Sequence, residues 1–504
     1  MRRLFNLPIH QFLFAIFPVL SLFFHNRDEV SYYEAVLPFF ASAAGALLFF
    51  LFLSFVIKNY KKAGIITSLF ILFFFSFGAA YGYFFLGFAR TRYILALWLL
   101  LFFLSAYFIW KTKKDLDDVT RALNIASIVL MAMPLGALLW YESRIAFSAV
   151  SGDPKARQNE SRAAYPEYNS GRGAPDIYYI VLDAYANEKT LKELYGYDNK
   201  EFIDYLTGMG FHVVRESRSN YPHTSLSLAS TLNMKYVNYL VEEYNGDYPK
   251  IANALKQLIE DSEVARILKH YGYSVVHLSS GWGETNYNRR ADLSFRVDNS
   301  MDPFSILVLK TTVLGPVYQR YFTYIQRERV LYTFKTLREM PRLPGPKFIF
   351  AHILSPHPPF VFKQNGEEVP NGKYMLEGDI WKQKEQYLDQ LIFINQVVKE
   401  TLREIISADS DAIILIQSDH GTSTLDKQDA SAAAFFQERM RNFNAYRLPG
   451  ISGVEERATN VNTFRIILNE QFGFDFDFLE DRSYYSDSAT AYDLIDVTDK
   501  ADYH

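Results

Sequence analysis

The sequence predicts a transmembrane domain of five helices followed by an α/β domain built on a mostly parallel sheet sandwiched by helices. Three observations predict it. Apolar residues crowd into the first 145 of the 504 positions, in runs close to the roughly 20 residues that cross a bilayer as a helix. Beyond position 175, short β-rich runs alternate with stretches of helical spacing, the pattern of a parallel sheet with crossover helices. Between these regions lies a stretch rich in Ser, Gly, Pro, Arg and Glu without apolar period, which reads as a tether. So long a chain exceeds one core. The expected domains are 1–145 in the membrane, a tether over 146–174, and a second domain over 175–504.

The expected spans are Ile9–Phe24, Ala35–Ile57, Gly64–Leu86, Tyr93–Trp110 and Ala122–Tyr141. The first is short and contains Pro18. A cleavable signal peptide is the alternative for it, but four more spans follow and no small-residue cleavage site is evident. Basic residues set the orientation. Arg2 and Arg3, then Lys58, Lys61 and Lys62, then Lys111, Lys113, Lys114 and Arg121 fall on one side. The alternate loops carry only Arg27, then Arg90 and Arg92, then Arg144. With the N-terminus inside, an odd number of spans places the second domain outside the cytoplasm of a multi-pass cell membrane protein, in a plasma or inner membrane.

Composition excludes several classes. A formal charge of −4 leaves no electrostatic footprint for nucleic acid. With no cysteine, disulfides, thiolate zinc sites and cysteine nucleophiles are excluded.

In the second domain the first expected strand is Asp176–Asp183 (DIYYIVLD). Glu188–Leu206 follows with helical spacing, then a short strand over Phe211–Arg215. Helical texture resumes over Thr224–Asn238 and Ile251–His270. Tyr273–Leu278, Lys347–Leu354 (KFIFAHIL) and Asp411–Ser418 (DAIILIQS) read as buried strands, with a helix over Glu385–Ile406. Asn444–Leu448 and a helix over Val461–Phe472 complete the pattern.

Ligands of open α/β sheets bind beyond the carboxyl ends of the strands. Asp183 closes one strand, Asp419 and His420 close another, and His352 and His357 lie at and just past the end of a third. The Asp419-His420-Gly421 turn presents carboxylate and imidazole lone pairs to a divalent cation, with Gly421 permitting a tight turn; an incidental strand-end turn is the alternative. Asp183 by itself reads equally as a helix N-cap. Thr224, where a loop becomes a helix, lies near backbone N–H groups that favour an anion or is itself an N-cap. His352 reads as a ligand-shell residue or a core histidine. His357, between Pro356 and Pro358, sits in a rigid loop where a structural role is harder to supply. His223 stays ambiguous, and Asp389 reads as a solvated or capping carboxylate.

In order, PDIYYIVLDAYA, SNYPHTSLSLASTLNM, HILSPHPPFVF and IILIQSDHGT resemble the sulfatase-like branch of the alkaline phosphatase superfamily. NVNTFRIILNEQFG and LEDRSYYS fit its membrane-linked members, and the resemblance covers about 175–485. With five spans in front, the layout is similar to that of lipoteichoic-acid synthases and lipid A phosphoethanolamine transferases. The resemblance implies an alkaline-phosphatase-like fold and one divalent ion (Mn, Mg or Zn) on Asp183, Thr224, Asp419 and His420. It implies Thr224 as nucleophile as well as ligand, and His357 as the group that contacts the transferred moiety or protonates the leaving oxygen. It also implies substrate contacts from His352, Trp282 and Arg289. The run from Thr224 to Leu228 lacks the Cys, Pro and Arg of a formylglycine segment, and Ala184 follows Asp183 where sulfatases carry paired Asp. Only ten His are present, which favours a single metal.

The implied activity is metal-dependent phosphoryl-type transfer from a phospholipid headgroup, with an envelope glycan or other hydroxyl as acceptor. Two alternatives stay open: a membrane-tethered phosphodiesterase or other ester hydrolase (phosphate rather than sulfate) using the same site, and a catalytically silent receptor or assembly protein.

Overall fold

A computed structural model of the chain describes residues 7–25, 32–84, 91–151, 166, 174–281, 283–297, 301–369, 380–428, 430–451, 459–487 and 490–502. The chain divides into two compact units, one of residues 1–161 with 300–321, the other of 162–299 with 322–504.

The first unit contains α1 (His10–His25), α2 (Tyr32–Ile57), α3 (Tyr60–Phe84), α4 (Thr91–Lys111) and α5 (Asp117–Ser151). Four of these, α2 to α5, are long and apolar enough to cross a membrane; α1 is apolar but has only 16 residues. Of the five expected spans, four are therefore helices of full spanning length and the first is a short apolar helix. Polar groups tie these helices together. Asn124 Oδ1 accepts from the backbone N–H groups of Ile9 and His10, and Lys62 Nζ donates to the carbonyls of Trp110 and Thr112 at 2.8 and 2.7 Å.

One further helix belongs to this unit. The expected second domain ran unbroken from 175, yet 300–321 groups with the membrane helices. There α12 (Pro303–Thr311) packs Phe304 and Val308 against Val19 and Phe23 of α1. Gly78 of α3 lets its backbone approach, since a Cβ there would meet the Lys310 carbonyl oxygen at 2.1 Å. Nine apolar-rich residues are too short to register as a span.

The second unit carries α6 (Glu188–Tyr195), α7 (Lys200–Gly208), α8 (Thr224–Asn233), α9 (Tyr239–Glu243), α10 (Tyr248–Glu260), α11 (Glu263–His270), α14 (Lys384–Ala408), α15 (Ala432–Met440), α16 (Thr463–Phe472) and α17 (Thr498–Ala501). It also carries α13 (Gly315–Glu339) from Phe322 onward. The strands are β1 (Ile177–Leu182), β2 (His212–Val213), β3 (Ser274–Leu278), β4 (Leu293–Phe295), β5 (Lys347–Ile353), β6 (Ile413–Gln417) and β7 (Asn444–Arg447), with a small β8–β9 pair (Tyr484–Tyr485, Ile495–Asp496). The main sheet runs β2-β7-β6-β1-β5-β3-β4. Its five strands from β6 to β4 are parallel, β7 pairs antiparallel with β6, and β2 pairs antiparallel with β7.

Alternate residues of each central strand enter opposite cores. Tyr179 and Val181 of β1 pack with α8, α10, α11 and α16, whereas Tyr178, Ile180 and Leu182 pack with α6, α7, α13 and α14. Burial on both faces is why these strands read as unbroken apolar runs. Two expected helices are interrupted. Glu188–Leu206 breaks where Gly196 adopts φ 66°, and Ile251–His270 breaks at Ser262, which caps α11 by accepting from Ala265 N–H. The expected strand at 211–215 is only two residues long, an antiparallel partner of β7 at the sheet edge.

Candidate metal centre and nucleophile

The three central strands β6, β1 and β5 end side by side, and the residues just past them converge. Asp183 follows β1, with its N–H donating to the Ile353 carbonyl at 3.0 Å. Asp419 follows β6, and its Oδ1 accepts from Ala184 N–H at 3.2 Å. Ala184 is held at φ 57°, a left-handed conformation that costs a non-glycine residue about 1 kcal/mol or more. Both carboxylates are buried, yet Asp183 Oδ1 and Asp419 Oδ2 have no hydrogen-bond partner. His420 Nε2 lies 3.4 Å from Asp419 Oδ2 and 3.7 Å from Asp183 Oδ1.

The electrostatics of the cluster suit a bound cation. Burial and the charge of Arg439 bring the His420 pKa down to about 4, so the ring is neutral. Its Nδ1 donates to the Gly421 carbonyl at 2.9 Å, which leaves the Nε2 lone pair among carboxylate oxygens. Burial would raise the Asp183 pKa, but His357 and the contact with His352 outweigh it and hold the carboxyl below its usual range. Two buried carboxylates beside an imidazole lone pair are costly unless a cation joins them. One ligand atom from each of Asp183, Asp419 and His420 can be chosen so that all lie within 4.8 Å of one another. This mixed O/N set fits a divalent ion and does not choose among Mn, Mg and Zn.

Thr224 is the first residue of α8, and its Oγ1 lies 3.5 Å from His420 Nε2. It is not the N-cap: His223 occupies that position, without a side-chain capping bond. Likewise the cap of the helix after β1 is Asn187, not Asp183. Ser227 Oγ donates to the Asp419 carbonyl at 2.8 Å and so fixes α8 to the ligand turn.

His357 is held by its own backbone, with N–H donating to the Asp183 carbonyl at 3.0 Å. Its Nδ1 donates to the Pro358 carbonyl at 2.6 Å, and its ring packs edge-on against Trp381. Gln390 of α14, buried, pins this loop by donating to the carbonyls of Pro356 and His357. His352 lies behind Asp183, with Nε2 3.3 Å from Oδ2. The other two expected contacts are elsewhere: Trp282 lies outside the described residues, and Arg289 lines a different cleft, of about 620 Å³, beside Glu260 and Tyr244.

A cavity of about 200 Å³ opens beside the cluster, lined by His223, His357, Trp381, Phe435, Arg439 and Tyr485 among others. Arg439 and Trp381 were invisible to sequence reasoning because they sit on no strand end, and Tyr485 lies in the LEDRSYYS stretch without any local sign that it reaches this cavity. Gly421 was visible for a different reason than the structure gives. A Cβ there would meet the Glu438 carbonyl oxygen at 2.1 Å, so closeness to α15, not a left-handed turn, demands glycine.

Residues 175–459 match the family model described as Sulfatase. No curated protein sequence matches the chain. Among solved structures, the zinc complex of the C-terminal periplasmic domain of EcEptC from Escherichia coli is 14% identical, with a TM-score of 0.44 over 66% of this chain and 95% of that one. The integral membrane lipooligosaccharide phosphoethanolamine transferase A (EptA) from Neisseria meningitidis is 12% identical, with a TM-score of 0.38 over 92% and 93%.

Proposed function

The chain belongs to the sulfatase family through residues 175–459, and from that premise we propose that it is a membrane-bound phosphoryl-type transferase working through Thr224. One observation carries the reading: the Thr224 hydroxyl stands 3.5 Å from His420 Nε2, beside two buried carboxylates with unpartnered oxygens. Asp183, Asp419, His420 and Thr224 would hold a divalent ion, which when bound lowers the pKa of a contacting hydroxyl and offsets charge on a nonbridging oxygen.

Thr224 Oγ forms the new bond to phosphorus and gives up its proton to solvent, while the bond from phosphorus to the leaving alcohol breaks. His357 supplies that alcohol oxygen with a proton. An acceptor hydroxyl, or water in a hydrolase, then gives its proton to His357 and bonds to phosphorus while the bond from phosphorus to Thr224 Oγ1 breaks and that oxygen takes a proton from solvent. Phosphorus is favoured over formylglycine-type sulfate chemistry because threonine cannot be converted to that aldehyde. The apolar helices α2 to α5 would give access to a phospholipid donor, and the loop charges support a catalytic unit outside the cytoplasm, beside envelope glycans.

Thr224→Ala tests the reading. It should keep the fold and still bind phospholipid but lose its turnover, while wild type with donor lipid shows a phosphoryl adduct on Thr224 by mass spectrometry. An active Thr224→Ala protein sinks the covalent mechanism, and product formed without a glycan acceptor identifies a hydrolase.

A further inference from the structure

The cleft of about 620 Å³ that Arg289 lines lies in the same unit as the candidate metal centre and shares no lining residue with the cavity beside that centre. Its walls come from α9, α10, the start of α11 and the Arg289-Arg290 turn before β4. Asn233, the last residue of α8, accepts from Glu263 N–H at 3.1 Å and donates to the Leu258 carbonyl at 2.8 Å. It thereby fixes the α10–α11 junction, where Glu260 and Asp261 line the cleft. Thr224 opens the same helix, so 10 residues, a length of about 15 Å, separate that junction from the proposed nucleophile.

The cleft offers apolar surface, donors and acceptors together. Leu240 and Leu258 supply apolar surface, and Tyr239 and Tyr244 add two phenol rings. Tyr239 is 38% exposed, with Lys235 Nζ 5.0 Å from its ring centroid. Gln257, Arg289 and Arg290, all exposed, bring donors, whereas Arg266 is already engaged by Asp261 at 3.3 and 3.2 Å. Glu260 is the acceptor out of balance. Its Oε1 is buried with no hydrogen-bond partner among the described residues, which is costly for a carboxylate. Burial raises the Glu260 pKa, although the charges of Lys256, Arg289 and Arg290 oppose that. A ligand that donates a hydrogen bond to this oxygen removes the cost.

Simple ions fit this lining poorly. An anion meets Glu243 and Glu260, and a cation meets Arg289 and Arg290. A sugar hydroxyl both donates and accepts, so a row of them serves Glu260 and the guanidinium groups at once, while the C–H face of the ring covers a tyrosine. The volume lies within the range of small-molecule sites, about 300–1,000 Å³, and leaves room for a short run of linked sugars. We propose that this cleft is a docking site for a neutral stretch of oligosaccharide, which anchors the acceptor glycan a helix length from the reacting atoms. The inference rests on the transferase reading and gives its acceptor a second point of attachment. Holding a glycan at one point raises the effective concentration of its remaining hydroxyls at another.

The test uses the full chain in lauryldimethylamine oxide, a detergent without sugar, and saturation-transfer NMR titration with maltohexaose, cellohexaose and chitohexaose. Wild type should bind at least one of them. Glu260→Gln should weaken that binding about tenfold, the scale of a hydrogen bond to a charged group. Tyr239→Ala, which removes an exposed ring, should weaken it several-fold and decides the matter if the Glu260 variant does not fold. Thr224→Ala should bind the sugar as wild type does. No binding of any hexasaccharide by wild type, or binding unchanged in both cleft variants, overturns the proposal. Loss of sugar binding in Thr224→Ala also overturns it, since the sugar would then sit at the metal centre. So does tighter binding of glycerophosphoethanolamine than of every hexasaccharide, which would assign the cleft to a zwitterionic headgroup. Binding is read here without turnover. An active Thr224→Ala protein, or product formed without an acceptor, therefore defeats the catalytic reading and leaves the sugar-binding result in force.

Discussion

His352 Nε2 lies 3.3 Å from Asp183 Oδ2, with both side chains buried. The other ring nitrogen, Nδ1, is 2.7 Å from the Thr285 hydroxyl, which also meets Ser280 Oγ at 2.8 Å. Burial alone would lower the His352 pKa, but the hydrogen bond to Asp183 and the charges of Asp183 and Asp419 outweigh it and raise the pKa. The ring therefore orients the Asp183 carboxylate from behind, which makes His352 a positioning residue for the proposed metal site.

Groups that orient metal ligands from behind typically contribute 10- to 100-fold in metal affinity. His352→Phe should therefore weaken divalent-ion binding by about that factor with the fold intact. Equilibrium dialysis against manganese measures it, and affinity equal to wild type would remove the positioning role.

Gly421→Ala places a methyl 2.1 Å from the Glu438 carbonyl oxygen and 2.8 Å from that of Arg441. Overpacking of this kind costs about 1–3 kcal/mol, and relief requires the Asp419-His420 turn to move away from α15. The expected outcome is a lower thermal transition together with reduced metal retention. A variant that melts and binds metal like wild type shows that the turn has room to give.

His277 is buried on β3, with Nε2 donating to the Thr285 carbonyl at 3.0 Å, and burial brings its pKa down from 6.5 to about 4. The unfolded chain binds the proton first, so stability falls as pH drops below 6.5 and continues to fall until about 4. At pH 5 the loss from this one group is on the order of 2 kcal/mol relative to pH 8. His277→Gln should melt with a smaller difference between pH 8 and pH 5 than wild type. An equal difference would assign the acid sensitivity to other groups.

Reporter fusions at Lys113 and at Gly171 should report opposite compartments, Lys113 cytoplasmic and Gly171 outside. The two positions are separated by α5, whose Asp117–Trp140 portion is long and apolar enough to cross a membrane. Matching signals would overturn the orientation.

Part of the fold was legible because its causes are local. DIYYIVLD, KFIFAHIL and DAIILIQS became β1, β5 and β6 because strands buried on both faces carry continuous apolar runs, whatever their neighbours. The missed features have non-local causes. Helix α12 is recognisable only from its packing on Val19 and Phe23 of α1. Arg289 follows a strand as a substrate contact would, yet it belongs to the cleft with Glu260.

The sequence by itself determined that apolar helices precede an α/β domain, that its central strands end in Asp183, His352 and Asp419-His420, and that a threonine opens a helix between them. Each follows from composition and periodicity over a few turns or strand residues. Only the tertiary structure decided which of these groups meet. Ala184 N–H reaches Asp419 Oδ1 across 235 positions because β1 lies between β5 and β6 in the sheet, and strand order is set by long-range packing that no local pattern encodes. The same packing brings the end of α15 against Gly421 and so carries Arg439 to the cavity, a placement fixed by the closeness of two backbones.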